Sequence, residues 1–232
     1  MMIGMRLREI MVITVVLALL TALAAGLSES NAPNSVTSPT WTMITRFVAV
    51  LVAGSFGLAV ARESQLRGSL FIRFEDWSLA IRDIVNYGVL PGLVRGLINY
   101  FFFFPYRYSQ QVVPAIRDIQ SLYDSFVESL RPAFTEEVLF RLFILSCFLF
   151  SFRQLYERLA PVWPAVVAIL PKALAVVLSS LLFAMQHTVY GFTAGFFGGM
   201  LLGLIYVHSG IESAIAAHFS ANFLFYSASY LS

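Results

Sequence analysis

Apolar runs long enough to cross a bilayer recur along this chain, and they restrict the folds that it can adopt. The first run, Ile10–Leu27, contains no charged residue and as a helix would span about 30 Å of hydrocarbon. Hydrophobic residues make up 59% of the 232 positions and charged residues 12%, a balance outside that of soluble domains. Inside hydrocarbon each backbone group needs a partner within the protein, which favours helices. The sequence therefore predicts an all-α, polytopic transmembrane helix bundle.

The apolar pattern predicts about seven spans and two amphipathic surface helices. Apolar residues at steps of three and four place the surface helices at 62–82 and 112–130. Pro132 is expected to be the first residue of the fourth span. The predicted spans cover residues 10–27, 47–61, 84–104, 132–152, 171–187, 192–208 and 211–231.

Two of these spans have further features. The first run ends in small residues that also fit a signal-peptide cleavage site, but its length favours an uncleaved span. On the third span, Arg95 and Asn99 share one face, which suits a cavity wall, a contact between helices or a snorkelling arginine. On the sixth, several glycines form a smooth face that permits close backbone approach: Gly191, Gly195, Gly198, Gly199 and Gly203.

The basic residues predict an orientation and exclude one class of partner. A cytoplasmic N-terminus places eight of them on the cytoplasmic side: Arg6, Arg8, Arg62, Arg67, Arg73, Arg82, Arg153 and Arg158. Four dissent: Arg46, Arg107, Arg117 and Arg131. A net charge of +2 without a basic run gives no sign of nucleic-acid binding, so the expected partners are membrane lipids and a membrane-associated substrate. The single cysteine, Cys147, excludes an intrachain disulfide and is expected to be a packed hydrophobe.

The fourth span carries an unusual charged cluster at its expected beginning. Each ionisable group at lipid depth costs about 2.5–3.5 kcal/mol on insertion, and such groups mark functional sites. Glu137 and Arg141 are four residues apart and can pair across one helical turn. Glu136 lies about 100° round the helix and lacks a local counter-charge. We therefore expect Glu136 to face polar groups on other helices.

Two later helices supply such groups at the same spacing. Phe183 and His187 are four apart, as are His218 and Asn222, so each pair shares one helical face. Short connections place the last three helices side by side. Any one of these polar residues alone would be explained by packing between helices. With the predicted boundaries, His218 lies only about 10 Å from the opposite end of its helix, which mismatches the expected depth of Glu136 and His187.

The three motifs together resemble a known family. Glu136-Glu137-x-x-x-Arg141, Phe183-x-x-x-His187 and His218-x-x-x-Asn222, in this order, are similar to the CPBP intramembrane endopeptidases. That family includes the CAAX prenyl endopeptidases and the bacteriocin-processing and self-immunity proteins. The resemblance covers about Pro132–Leu231. It divides the chain into an N-terminal membrane region, 1–131, and a catalytic four-helix core, 132–232.

The resemblance implies hydrolysis of a peptide bond in or near the bilayer. Glu136 would act as general base on a water held with His187, and His218 and Asn222 would donate to the oxyanion. Glu137, Arg141 and Phe183 would support them, with Arg141 holding Glu137 ionised. The substrate would be a peptide or a membrane protein, with or without a lipid anchor.

Other interpretations of these residues remain open. Glu136, His187 and His218 would also suit zinc, but no His-Glu-x-x-His spacing is present, so a reaction without a cofactor is favoured. A non-catalytic membrane scaffold or a bacteriocin self-immunity protein would use the same polar residues as hydrogen bonds between helices. A proton-linked carrier would use Glu136 and the histidines as a relay.

Overall fold

The computed structural model describes residues 7–31, 38–64, 66, 77–103, 119–157, 164–187 and 189–232. Within these ranges the chain forms seven continuous helices and no strand, which confirms the all-α membrane bundle. The helices are α1 (Leu7–Asn31), α2 (Pro39–Glu63), α3 (77–103), α4 (Leu122–Tyr156), α5 (Pro164–Ala184), α6 (Val189–Ser209) and α7 (Ile211–Leu231).

Four helical segments in the described ranges are long and apolar enough to cross a membrane by length and composition alone. They are Ile10–Leu27, Pro39–Glu63, Leu122–Tyr156 and Gly191–Ser209. A shorter apolar helical segment covers Ile169–Ala184. The chain is thus an integral membrane protein built from helices.

The observed boundaries agree best with prediction at the end of the chain. Helix α7 covers Ile211–Leu231 as predicted, and it begins after Gly210, whose φ of 100° suits glycine. Helix α5 begins at Pro164, before the predicted start, and Pro171 lies inside it. An internal proline is tolerated in a membrane helix because neighbouring groups can satisfy the freed carbonyl.

The prediction that Pro132 begins the fourth span is wrong. Helix α4 is continuous over 35 residues, and Pro132 lies within its regular first part, Leu122–Glu137. The true start is fixed by Ser121, whose hydroxyl oxygen accepts a hydrogen bond from the Asp124 N–H at 3.1 Å. Glu136 and Glu137 therefore lie near the middle of a long helix rather than at its beginning, which removes the predicted mismatch in depth with His218.

The two surface helices are only partly within the described residues. Residues 67–76 and 112–118 lie outside them. The described end of the first surface helix, Trp77–Ile84, continues through a π-helical segment, Val85–Val89, into the third span. The described part of the second, 122–130, is the first part of α4. Both therefore run into spans without a break. The domain boundary between residues 131 and 132 stays a prediction.

Three glycines set the distance between α3 and α7. Gly88, Gly92 and Gly96 are spaced by four residues, and a Cβ on any of them would press on the α7 backbone. At Gly96 it would lie 2.7 Å from the carbonyl oxygen of Ala221, and at Gly92 it would overlap the carbonyl of Ala217. Small residues at this spacing allow two helix backbones to touch. This contact fixes the segment of α7 that carries His218.

The predicted glycine face of α6 is also used for close packing. A Cβ on Gly203 would lie 3.2 Å from Val176 of α5, and one on Gly199 would lie 3.1 Å from the Cβ of Ser180. Helices α5 and α6 therefore approach closely along this face. The same face also lies against the side chains of His187, Arg95 and Arg141.

Candidate functional site

A fully buried ion pair forms the base of the site. Glu137 ends the regular first part of α4, and Arg141 lies one turn later in a π-helical segment, Val138–Leu145. The Nε of Arg141 is 3.3 Å from Oε2 of Glu137, and neither side chain is exposed. The Nη2 of Arg141 donates a hydrogen bond to the carbonyl of Gly199 on α6, at 3.3 Å. The predicted pairing of Glu137 with Arg141 is therefore confirmed.

His218 of α7 lies between the two adjacent glutamates. Its Nδ1 is 2.8 Å from Oε1 of Glu137, and its Nε2 is 3.8 Å from Oε2 of Glu136. A carboxylate paired with arginine can only accept, so we assign the proton to Nδ1, which donates to Glu137. The Nε2 atom then faces Glu136. The sequence predicted that Glu136 would face other helices, but it did not predict that Glu137 would hold the histidine.

The two glutamates differ in their access to solvent. The Glu136 side chain is 30% exposed, whereas the Glu137 side chain is fully buried. The 3.8 Å gap between Glu136 and His218 is too long for a direct hydrogen bond. A polar pair at this separation can share one water molecule. Glu137 thus anchors the cluster, and Glu136 is the carboxylate that solvent can reach.

Phe183 of α5 packs at the centre of the cluster. Its fully buried ring lies 4.4 Å below the guanidinium carbon of Arg141 and 6.0 Å, centroid to centroid, from the ring of His218. A cation over an aromatic face is stabilised by the ring quadrupole. The same ring lies 4.8 Å from that of His187. Phe183 therefore packs against Arg141 and both histidines.

His187 borders the site without touching the glutamates. It lies just beyond the end of α5, is exposed, and its Nδ1 is 3.1 Å from the carbonyl oxygen of Phe183, to which it donates. It packs against Gly195 of α6, where a Cβ would lie 3.1 Å from Nδ1. The predicted direct association of His187 with Glu136 is not among the contacts of the described residues.

Asn222 lies one turn beyond His218 on α7 and is half-buried. In the described part of the chain its carboxamide makes no hydrogen bond. It is thus adjacent to the cluster, and its carboxamide N–H groups are available as hydrogen-bond donors. The structure brings together Glu136, Glu137, Arg141, Phe183 and His218, and it places His187 and Asn222 at the edges.

The alternative zinc site would need Glu136, His187 and His218 to surround one metal ion. Among the described residues, no three His, Cys, Asp or Glu side chains come together as a metal-binding group. Both nitrogens of His218 already face carboxylates, and the Phe183 ring packs against both His218 and His187. The proposed ligands Glu136, His187 and His218 do not converge as placed, so the set does not fit a zinc ion without rearrangement.

The sequence did not indicate that Arg95 belongs near this site. Arg95 of α3 interacts electrostatically with Glu137, Arg141 and Glu136. A Cβ on Gly198 of α6 would overlap its guanidinium group. Its Nε and Nη1 are buried and have no hydrogen-bond partner within the described part of the chain. Only the shared face with Asn99 hinted at a cavity, and nothing in the sequence placed that face beside α6.

Comparison with protein families supports the predicted resemblance. Residues 118–224 match the family model described as type II CAAX prenyl endopeptidase Rce1-like. This part of the chain is Rce1-like. The match contains all three motifs and begins before Pro132, so it includes the first part of α4. No curated protein and no solved structure matches the chain. The Rce1-like segment points to a protease that acts in the membrane.

Proposed function

We propose that this protein is an intramembrane endopeptidase in which Glu136 activates a water molecule for attack on a peptide bond. The observation that carries the proposal is the arrangement of His218, with Nδ1 held by the buried Glu137 and Nε2 facing the partly exposed Glu136 across 3.8 Å. A water at that position would be hydrogen-bonded on both sides. The Rce1-like match of residues 118–224 supports the reaction class.

In this mechanism Glu136 removes a proton from the water as the water oxygen attacks the carbonyl carbon. The C–N bond then breaks, and the proton on Glu136 passes to the leaving amine. The two guanidinium groups of Arg95 and Arg141 offset the two carboxylates of Glu136 and Glu137. With the Nδ1 proton directed at Glu137, Nε2 of His218 accepts a hydrogen bond from the water, so His218 orients the nucleophile.

In this mechanism Asn222, rather than His218, donates a hydrogen bond to the oxyanion. The resemblance implies that His218 and Asn222 donate together, but the Nδ1–H of His218 is already directed at Glu137. The Asn222 carboxamide lies one turn away, and its N–H groups make no hydrogen bond to the residues that the structure describes. A preorganised donor of this kind contributes about 2.7–4 kcal/mol to the transition state. His187 supports the arrangement through its contacts with Phe183.

The test uses purified full-length protein in liposomes and a panel of apolar peptides, with and without a lipid anchor, whose cleavage is followed by mass spectrometry. Glu136→Gln should lower the rate by about 10²–10⁴-fold, the range for a general base. Glu128→Gln is the matched control on α4, where Glu128 pairs with a partly exposed Arg131 at 3.2 Å. Full turnover by Glu136→Gln would refute the mechanism, and a phenotype without any peptide cleavage would favour the scaffold.

We also propose that the N-terminus is cytoplasmic, because eight basic residues of the short loops then lie on the cytoplasmic side. Reporter fusions after α2 and after α7 should locate the α2 end in the cytoplasm and the α7 end outside. The reverse pattern would contradict this orientation.

A further inference from the structure

A groove between α3 and α6 lies beside the proposed catalytic cluster. It encloses about 550 Å³ and its walls are mainly apolar, with Val94, Ile98 and Phe197 among the exposed lining residues. The few polar groups on its walls include Arg95 and Asn99, which are one helical turn apart on α3. We refer to it as the α3–α6 groove.

Arg95 connects this groove with the cluster. Its guanidinium packs on Gly198, and the next residue, Gly199, accepts the hydrogen bond from Arg141. The groove and the cluster therefore meet across two consecutive glycines of α6. Arg95 lines the groove, which has a volume suited to a ligand, and its buried Nε and Nη1 have no hydrogen-bond partner among the described residues. A buried donor without an acceptor is unfavourable, so a ligand with acceptors would stabilise this site.

The charge balance favours a neutral acceptor over an anion. The two guanidinium groups of Arg95 and Arg141 already offset the carboxylates of Glu136 and Glu137. An anionic head group would bring an uncompensated charge beside those carboxylates. A hydrocarbon tail would leave the Arg95 donors unpaired. A polypeptide provides neutral carbonyl acceptors together with apolar side chains for the walls.

The spacing of the donors also suits an extended polypeptide. Arg95 and Asn99 are separated by four residues, or about 6 Å along a helix. Carbonyls on the same side of an extended chain recur every second residue, at about 6.6 Å. Two successive carbonyls of this kind can therefore reach the two side chains without a change in the helix.

We propose that the α3–α6 groove binds the substrate polypeptide in extended form beside the scissile bond, with Arg95 and Asn99 donating hydrogen bonds to its carbonyls. This inference rests on the proposed function, and it makes Arg95 and Asn99 substrate-positioning residues. Since each contact is to the backbone, they would select an extended apolar segment rather than a particular side chain.

The binding test does not require turnover. Full-length Glu136→Gln protein in liposomes is irradiated with an acetylated and amidated decapeptide of alanine and leucine that carries a diazirine leucine, and the labelled residues are mapped by mass spectrometry. We expect labels on Val94, Ile98 and Phe197. Thr193→Phe should fill the groove and lower labelling at least tenfold. Leu204→Phe, an exposed position on α6 away from the groove, should leave it unchanged.

Two further comparisons test the hydrogen bonds. Asn99 makes no hydrogen bond to the residues that the structure describes, so Asn99→Leu should preserve folding. It should weaken labelling because the proposed donor to a peptide carbonyl is lost. An amide-to-ester replacement in the peptide weakens the carbonyl acceptor and should also weaken labelling. Labelling elsewhere, or labelling that Thr193→Phe and Asn99→Leu leave intact, would overturn the proposal. A photoactivatable phosphatidylglycerol that displaces the peptide from these residues would identify a lipid site instead and would also overturn it.

The two proposals can fail separately. Cleavage that depends on Glu136 but is unaffected by Thr193→Phe and Asn99→Leu would overturn the groove alone. Peptide labelling in the groove, combined with full cleavage by Glu136→Gln, would overturn the role of Glu136 alone.

Discussion

The ion pair between Glu137 and Arg141 should account for a measurable part of the folding free energy. Glu137→Gln would leave the Arg141 guanidinium fully buried, while its hydrogen bond to Gly199 and its contact with the face of Phe183 remain. Removing one partner of a buried pair costs about 3–5 kcal/mol, because the other charge stays buried without compensation. The expected loss in free energy of unfolding is therefore about 3–5 kcal/mol.

A double-mutant cycle separates this charge effect from a loss of packing. Adding Arg141→Met to Glu137→Gln removes the orphaned charge at similar volume, so the double variant should recover at least half of the loss. Glu128→Gln breaks a partly exposed pair on the same helix and should cost less than about 1 kcal/mol. The assay is reversible unfolding in mixtures of detergent and SDS. A loss for Glu137→Gln as small as that for Glu128→Gln, or strict additivity in the cycle, would refute the reasoning.

Gly92→Ala should lower the free energy of unfolding by about 1–3 kcal/mol, because its Cβ would overlap the α7 backbone. The Cβ of Gly203→Ala would meet a valine methyl at 3.2 Å, so this variant should cost less than about 1 kcal/mol in the same unfolding assay. Equal losses would contradict the α3–α7 packing. His218→Asn places an amide where Nδ1 bonds Glu137, so thermal stability should be largely kept while peptide cleavage falls at least about 10²-fold, and wild-type rates would show that Nε2 has no part in catalysis. Dialysis against a zinc chelator should leave the cleavage rate unchanged. A fall in the cleavage rate that is reversed by adding zinc would assign a metal to the reaction.

Local spacing predicted the parts of the fold and site that depend on a single helix. The pairing of Glu137 with Arg141 follows from a separation of four residues, and the limits of α7 follow from Gly210 and a short connection. These features need no knowledge of how neighbouring helices are rotated. They were therefore accessible from the sequence.

Contacts between helices were less accessible because an apolar bundle gives few signals of rotation. The family resemblance implies that His187 holds the water with Glu136 and that His218 donates to the oxyanion, yet the shortest contact of His218 is with Glu137. Pro132 was interpreted as a helix start, although the Ser121 cap and continuous packing carry α4 through it. The glycines Gly88, Gly92 and Gly96 were visible at a spacing of four, but only the structure shows that α7 lies against them.

The proposed mechanism depends most directly on the position of one water molecule. An experimental structure of the full-length protein in a lipid environment, at a resolution that shows ordered water, should place a water within about 3.2 Å of both Oε2 of Glu136 and Nε2 of His218. That density beside a buried Glu137–Arg141 pair would support Glu136 as the base. A Glu136 side chain turned towards lipid, or a metal ion coordinated jointly by His187 and His218, would contradict it.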